Sequence, residues 1–237
     1  MRPTASFAWS TEGSNISSLL ARAKEIGKTY GVGRHATTAV EHATFEIQAG
    51  SSIALVGPSG SGKTTLLHLI AGLDIPSEGF IEWPALGAGD TLRPGKVAVA
   101  FQGPSLVPSL NVVENVALPV LLAGGSAGEA FEKARAILDR MSLLDTIESK
   151  LPEELSGGQD QRVGIARALV GSPALILTDE PTGQLDHENG LRLMDLLLSY
   201  IEETGATLIV ATHDMTMAGR LATVWSMLDG HLRTEGV

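Results

Sequence analysis

Apolar residues at 53–56 form a run long enough for one buried strand, and the run stops at Gly57, where glycine and serine take over. Apolar positions return over 66–71 as a helix, so strand, turn and helix follow one another within twenty residues. Upstream, 19–30 alternates loosely between apolar and polar residues and 44–47 alternates as a strand, with Gln48, Ala49 and Gly50 as the turn into the run at 53. Downstream, residues 72–79 carry a turn signal that ends the helix, and short strands are expected at 80–82 and 97–101. Pro84, Gly87, Gly89, Pro94 and Gly95 break the chain between those two strands.

Between 104 and 155 the period changes. Segments 112–122, 130–141 and 143–147 have helical spacing, with Asn111 and Ser126 as starting caps. Strand-like runs resume at 174–178 and 207–211, with an amphipathic helix over 191–202 between them. An α/β class follows, with a helical lobe inserted between strands of the core. Residues 1–18 are rich in Ser and Thr without apolar period, which predicts a mobile leader.

Composition narrows the setting. A chain of 237 residues with 43% hydrophobic residues can bury a large core as one domain or a domain with a lobe. No run approaches the ~18 apolar residues of a membrane span, and the N-terminal residues show no apolar signal-peptide segment. Any membrane role is therefore expected through a partner protein. The absence of cysteine excludes disulfides, thiolate metal sites and cysteine nucleophiles. A net charge of −10 argues against a dedicated nucleic-acid surface.

The turn after the strand at 53–56 reads Gly57, Pro58, Ser59, Gly60, Ser61, Gly62, Lys63, Thr64, Thr65 and fits G-x-x-x-x-G-K-[ST]. Glycines there let backbone N–H groups and a helix N-terminus point at phosphate oxygens without a Cβ in the way. Lys63 would reach the β- and γ-phosphates and the Thr64 hydroxyl would hold Mg²⁺. The strand at 174–178 ends in Asp179 and Glu180. In a phosphate-loop protein the first acid holds the metal with Thr64, and the second is free to act as a base on water. Leu155, Ser156, Gly157, Gly158 and Gln159 precede apolar positions at helical spacing, which builds a second helix N-terminus suited to an anion. One nucleotide could thus lie between two copies of the chain. Tyr30 could stack on a purine or pack on its own sheet, and Gln102 could ligate a metal or be an exposed loop residue; residue type alone leaves both open. Gly31, Gly33 and Ala36 match a dinucleotide fingerprint superficially, without the helix it requires.

GPSGSGKT at 57–64, Gln102, LSGGQ at 155–159, LILTDEP at 175–181, Gly183 to Asp186 and His213 occur in the order of the ATP-binding cassette (ABC) ATPases, which the chain resembles over about residues 19–235. Residues 72–74, 104–106, 114–116, 118–119 and 182–183 further resemble the subgroup of macrolide-exporter and lipoprotein-release ATPases. The resemblance implies a P-loop NTPase (RecA-like) core at 19–103 and 161–237, with an N-terminal antiparallel β lobe and an inserted α-helical lobe at about 104–160. It implies a head-to-tail dimer with ATP at its interface, and a separate transmembrane permease driven from the cytoplasmic face of the cell membrane, for export or envelope-directed work. A soluble ABC ATPase of DNA repair or translation is the alternative. In such a family Tyr30 stacks on adenine, residues 57–65 bind phosphates, and Thr64, Gln102 and Asp179 organise Mg²⁺. Glu180 polarises water, His213 contacts the γ-phosphate, Ser156 to Gln159 reach the other subunit's nucleotide, and Asp186 links the two sites.

Three features depart from the family pattern. Asp160 places an acid in the first turn of the second anion-binding helix, where it competes with phosphate for the positive helix end. Gly164 and Thr178 stand where Ala is frequent, and the segment between Gly79 and Gln102 is short. Finally, Leu106, Val107 and Leu110 sit in a segment rich in Pro and Ser and are expected as exposed apolar residues that dock a partner helix.

Overall fold

The computed structural model describes residues 18–101, 103 and 105–234. Gln102 and all but Ser18 of the expected leader lie outside the described residues. Strands β1 (Leu19–Tyr30), β2 (Thr37–Gln48) and β3 (Ser52–Val56) lead into helix α1 (Lys63–Ile70), followed by β4 (Glu78–Glu82) and β5 (Val97–Ala100). Helices α2 (Val112–Leu122), α3 (Ala127–Arg140) and α4 (Gly157–Leu169) come next. The chain then runs through β6 (Leu175–Asp179), α5 (His187–Thr204), β7 (Thr207–Thr212), α6 (Met215–Ala218), β8 (Thr223–Leu228) and β9 (His231–Arg233).

The strands form one curled sheet in the order β4-β1-β2-β9-β8-β3-β7-β6-β5. The half from β8 to β5 is parallel, whereas β1 pairs antiparallel with both β2 and β4. This is the α/β core with an antiparallel lobe expected from the sequence. Alternation along the parallel strands feeds two cores. Ile53, Leu55, Leu177 and Ile209 face α1 and the antiparallel strands, while Ala54, Ile176, Leu208 and Val210 face α2, α4 and α5. With both faces covered, the strands read as unbroken apolar runs.

The register brings three strand ends together. Val56 lies opposite Thr212 on the β3–β7 ladder, and Asp179 lies opposite Ala211 on the β6–β7 ladder. The phosphate loop, the paired acids and His213 therefore leave the sheet side by side, at the carboxyl ends of parallel strands where α/β folds bind ligands.

Several expectations change. Residues 143–147 are a series of turns, not a helix: Ser142 and Asp145 take positive φ, and Leu143 and Ile147 are buried as loop residues. β2 starts at Thr37, ahead of the run expected at 44–47; its first residues are mostly exposed and polar, so no apolar alternation announces them. Leu106, expected at the surface, is 8% exposed and packs in the same core as Val112, Val116 and Val163. The loop is fixed there by Asn115, fully buried, whose side chain accepts from the Val107 N–H at 2.7 Å and donates to the carbonyls of Val107, Leu110 and Asn111. The fingerprint at 31–36 is an exposed turn with a short 3-10 segment, Gly33–His35, and no α-helix.

Candidate nucleotide site

The loop from Gly57 to Gly62 curls because its glycines have no Cβ. At Gly62, with φ 103°, an added Cβ would stand 2.1 Å from the Ala39 carbonyl oxygen. α1 begins at the next residue, so its free N–H groups open onto the loop. Beside it lies a cavity of about 640 Å³ lined by Ala39, Pro58, Ser59, Gly60, Gly62, Lys63, Thr64, Thr65, Asp179, Glu180 and His213.

Three charged side chains, Lys63, Asp179 and Glu180, are buried around this cavity, and each is hydrogen-bonded as a buried charge must be. The Lys63 ammonium donates to the carbonyls of Gly57 and Pro58 at 2.7 and 3.0 Å. The Thr64 hydroxyl donates to Asp179 Oδ2 at 2.5 Å. Glu180 Oε1 stands 2.9 Å from His213 Nδ1, and the Thr212 hydroxyl donates to Glu180 Oε2 at 3.4 Å. Glu180 adopts φ 47°, a left-handed conformation that a residue with a side chain holds only when its surroundings enforce it.

Thr64 and Asp179 fit a hard divalent cation. Both are oxygen donors, already within hydrogen-bonding distance, on the wall of a cavity large enough for phosphates and water.

Tyr30 stands at the end of β1, 43% exposed and outside the residues that line the cavity. Its hydroxyl donates to Asp74 Oδ2 at 2.9 Å, and the Lys28 ammonium lies 5.1 Å from the ring centroid. Lys28 also donates to Asp74 Oδ1 at 2.5 Å, which holds the Asp74 carboxyl below its ordinary range. Burial, then the hydrogen bond to Asp74, pushes the Tyr30 phenol up.

The stretch Ser156 to Gln159 is not part of the cavity within one chain. Ser156 caps α4 through a reciprocal pair: its hydroxyl accepts from the Gln159 N–H at 3.3 Å, and Gln159 Oε1 accepts from the Ser156 N–H at 3.0 Å. Ser156 and Gly157 are exposed. Asp186, also exposed, caps α5 by accepting from the Asn189 N–H at 2.9 Å, and that bond lowers its pKa. Asp160 faces its own chain, in a crevice with Phe101, Gly103, Ser105, Gly164 and Asp179. This departs from the expectation that it would compete for phosphate at the helix tip.

Gln161 and Thr212 were not marked by the sequence motifs, and Asp74 was marked only as part of the subgroup segment 72–74, with no role of its own. Thr212 could have been found as the residue that links β7 to His213. The contacts that Gln161 and Asp74 make carry no sequence signal, because their partners are distant in the chain.

A phosphate loop, an acid pair at a strand end and a capped glycine pair on a separate helix define a phosphate-loop ATPase with a cassette signature. The chain belongs to the ABC transporter family, whose model matches residues 40–183. It is 39% identical over 223 residues to the lipoprotein-releasing system ATP-binding protein LolD of Hydrogenovibrio crunogenus, a match that covers 91% of this chain and 96% of the relative. It is 40% identical over 215 residues to the uncharacterized ABC transporter ATP-binding protein YbbA of Escherichia coli K12, covering 88% and 94%. Among solved structures it resembles the dimeric bacterial ABC transporter cassette MJ0796, with TM-score 0.85, 34% identity, and 92% of this chain and 100% of that chain covered. A post-hydrolysis state of the same cassette bound to ADP and Pi matches with TM-score 0.83. The chain is thus an ATP-binding and ATP-hydrolysing transporter subunit.

Proposed function

We propose that two copies of the chain close head to tail over two ATP molecules and drive a separate membrane-spanning permease. The observation that carries this reading is the separation of two anion-binding elements. The cavity at residues 57–65 is completed by Asp179, Glu180 and His213, while the exposed, capped tip at Ser156 to Gln159 lines no part of it. The tip is free to cover a nucleotide held by the other copy. The dimeric form of the structural relative supports the same arrangement, and the lipoprotein-releasing relative supports export or envelope-directed work on the cytoplasmic face of the membrane. Among the described residues no helix is long and apolar enough to cross a membrane, in keeping with a separate permease chain.

In this reading Lys63 turns from the Gly57 and Pro58 carbonyls to the β- and γ-phosphates, while loop N–H groups hold the phosphate oxygens. Thr64, Asp179 and Gln102 would hold Mg²⁺, which neutralises charge on the phosphates when bound. Glu180 takes the proton of the water whose oxygen attacks the γ-phosphorus, as the bond to the leaving ADP oxygen breaks. His213, fixed through Nδ1, keeps Nε2 free for the γ-phosphate. Tyr30 offers a ring face to adenine, and Asp186 meets the facing copy.

Ser156→Arg tests the reading. The residue is exposed, so the variant should fold and bind ATP, yet it should neither dimerise with ATP nor hydrolyse it. Wild-type turnover by this variant would exclude a site shared between copies.

A further inference from the structure

Gln161 lies one turn beyond the exposed tip of α4, and its side-chain amide joins two segments far away in sequence. Nε2 donates to the Glu180 carbonyl oxygen at 2.7 Å, and Oε1 accepts from the Gln184 N–H at 3.0 Å. On its other side the Glu180 N–H donates to the Ala211 carbonyl at 2.9 Å. The left-handed backbone of Glu180 is thus held at both ends, by β7 through its N–H, and through its carbonyl by Gln161 of α4 together with the Gly183 N–H, which donates to the same oxygen at 3.1 Å. A residue at φ 47° aims its Cβ quite differently from a neighbour in the usual region, so this clamp decides where the carboxylate meets His213 and Thr212.

We propose that Gln161 is a positioning residue for hydrolysis, which ties the placement of the Glu180 carboxylate and of the loop leading to Asp186 to the placement of the α4 tip. The inference rests on the reading of Glu180 as the base. When α4 shifts to engage a nucleotide, Gln161 moves with it and carries both the Glu180 carbonyl and the Gln184 N–H. A purely structural stitch would alter stability and leave the chemistry alone. The two hydrogen bonds instead act on the residue that takes the proton, and misplacing a reacting group by ~1 Å is enough to lower a rate by up to about a hundredfold.

The test is a kinetic cycle on the full-length dimer. Gln161→Met keeps length and bulk and removes both hydrogen bonds. It should lower kcat about tenfold or more while the half-saturating ATP concentration changes less than about twofold. Gln161→Glu retains the acceptor for Gln184 and loses the donor to Glu180; it should show the same split, and it serves if the Met variant unfolds. In a Glu180→Gln background, Gln161→Met should reduce the residual single-turnover rate no further, because it acts through Glu180. Normal kcat in both Gln161 variants, or equal fold losses with and without Glu180, would overturn the inference. If Glu180→Gln alone turned over at the wild-type rate, the reading of Glu180 would fall instead.

Discussion

The Thr64 hydroxyl donates to Asp179 Oδ2 at 2.5 Å, joining the first turn of α1 to the carboxyl end of β6. In the proposed site these two oxygens would supply two of the ligands of a bound Mg²⁺, with the substrate phosphates and water among the others. Asp179→Asn keeps the shape and removes the charge. Hydrolysis should fall about tenfold or more at low Mg²⁺ and recover in part at high Mg²⁺, as followed by a Mg²⁺ titration of phosphate release. An unchanged titration curve would remove Asp179 from the metal site.

Tyr30 is anchored through its hydroxyl by Asp74, and the Lys28 ammonium lies 5.1 Å from its ring centroid. Tyr30→Ala should weaken ATP binding about 2- to 12-fold, the range of an aromatic stacking contact. Tyr30→Phe, which retains the ring and loses the bond to Asp74, should weaken it less. Calorimetry on both variants separates the ring from its anchor, and equal losses would argue against stacking.

Leu106 belongs to the core beneath the helices and not to a docking surface. Leu106→Ala should destabilise the chain by about 2–5 kcal/mol in urea unfolding. A loss below about 0.5 kcal/mol would mean that the loop makes little of its contacts.

These three sites show where the sequence was legible. The parallel core was readable because strands buried on both faces leave unbroken apolar runs, as at 53–56 and 207–211. The phosphate loop and acid pair were readable because their chemistry demands fixed residue types at fixed spacing. Asn115 stands in the subgroup segment 114–116 but its role leaves no mark: a helical asparagine whose amide fixes a preceding loop looks like any polar residue on a helix, and so the sequence points to Leu106 as a surface residue. β8 leaves only a weak apolar run, because just Trp225 and Met227 of its six residues are buried and the others are exposed or half-buried, and β9 has only three residues. In the antiparallel lobe, Glu25 and His42 take positive φ and shift the register, which blurs the period of β1 and β2.

Asp160 offers a pH test. Burial pushes its carboxyl above the ordinary range, with the Arg167 charge acting the other way. A raised folded pKa means that the native state holds the proton more tightly, so stability falls as pH rises from the ordinary carboxylate value through the folded one. Asp160→Asn should therefore have a higher Tm than the parent at about pH 7, and the difference should shrink toward about pH 4. A gap that stays constant over that window would show that the carboxyl is not perturbed by burial.

The most direct measurement concerns Glu180 and the facing α4 tip together. Glu180→Gln preserves size and removes the base, so ATP should be bound and scarcely hydrolysed, with turnover lowered by about 10²–10⁴. Run on a sizing column, this variant should elute as a monomer without nucleotide and as a dimer with ATP. Hydrolysis at the wild-type rate, or a monomer at saturating ATP, would contradict an ATP site that is catalysed by Glu180 and closed by the partner's signature helix.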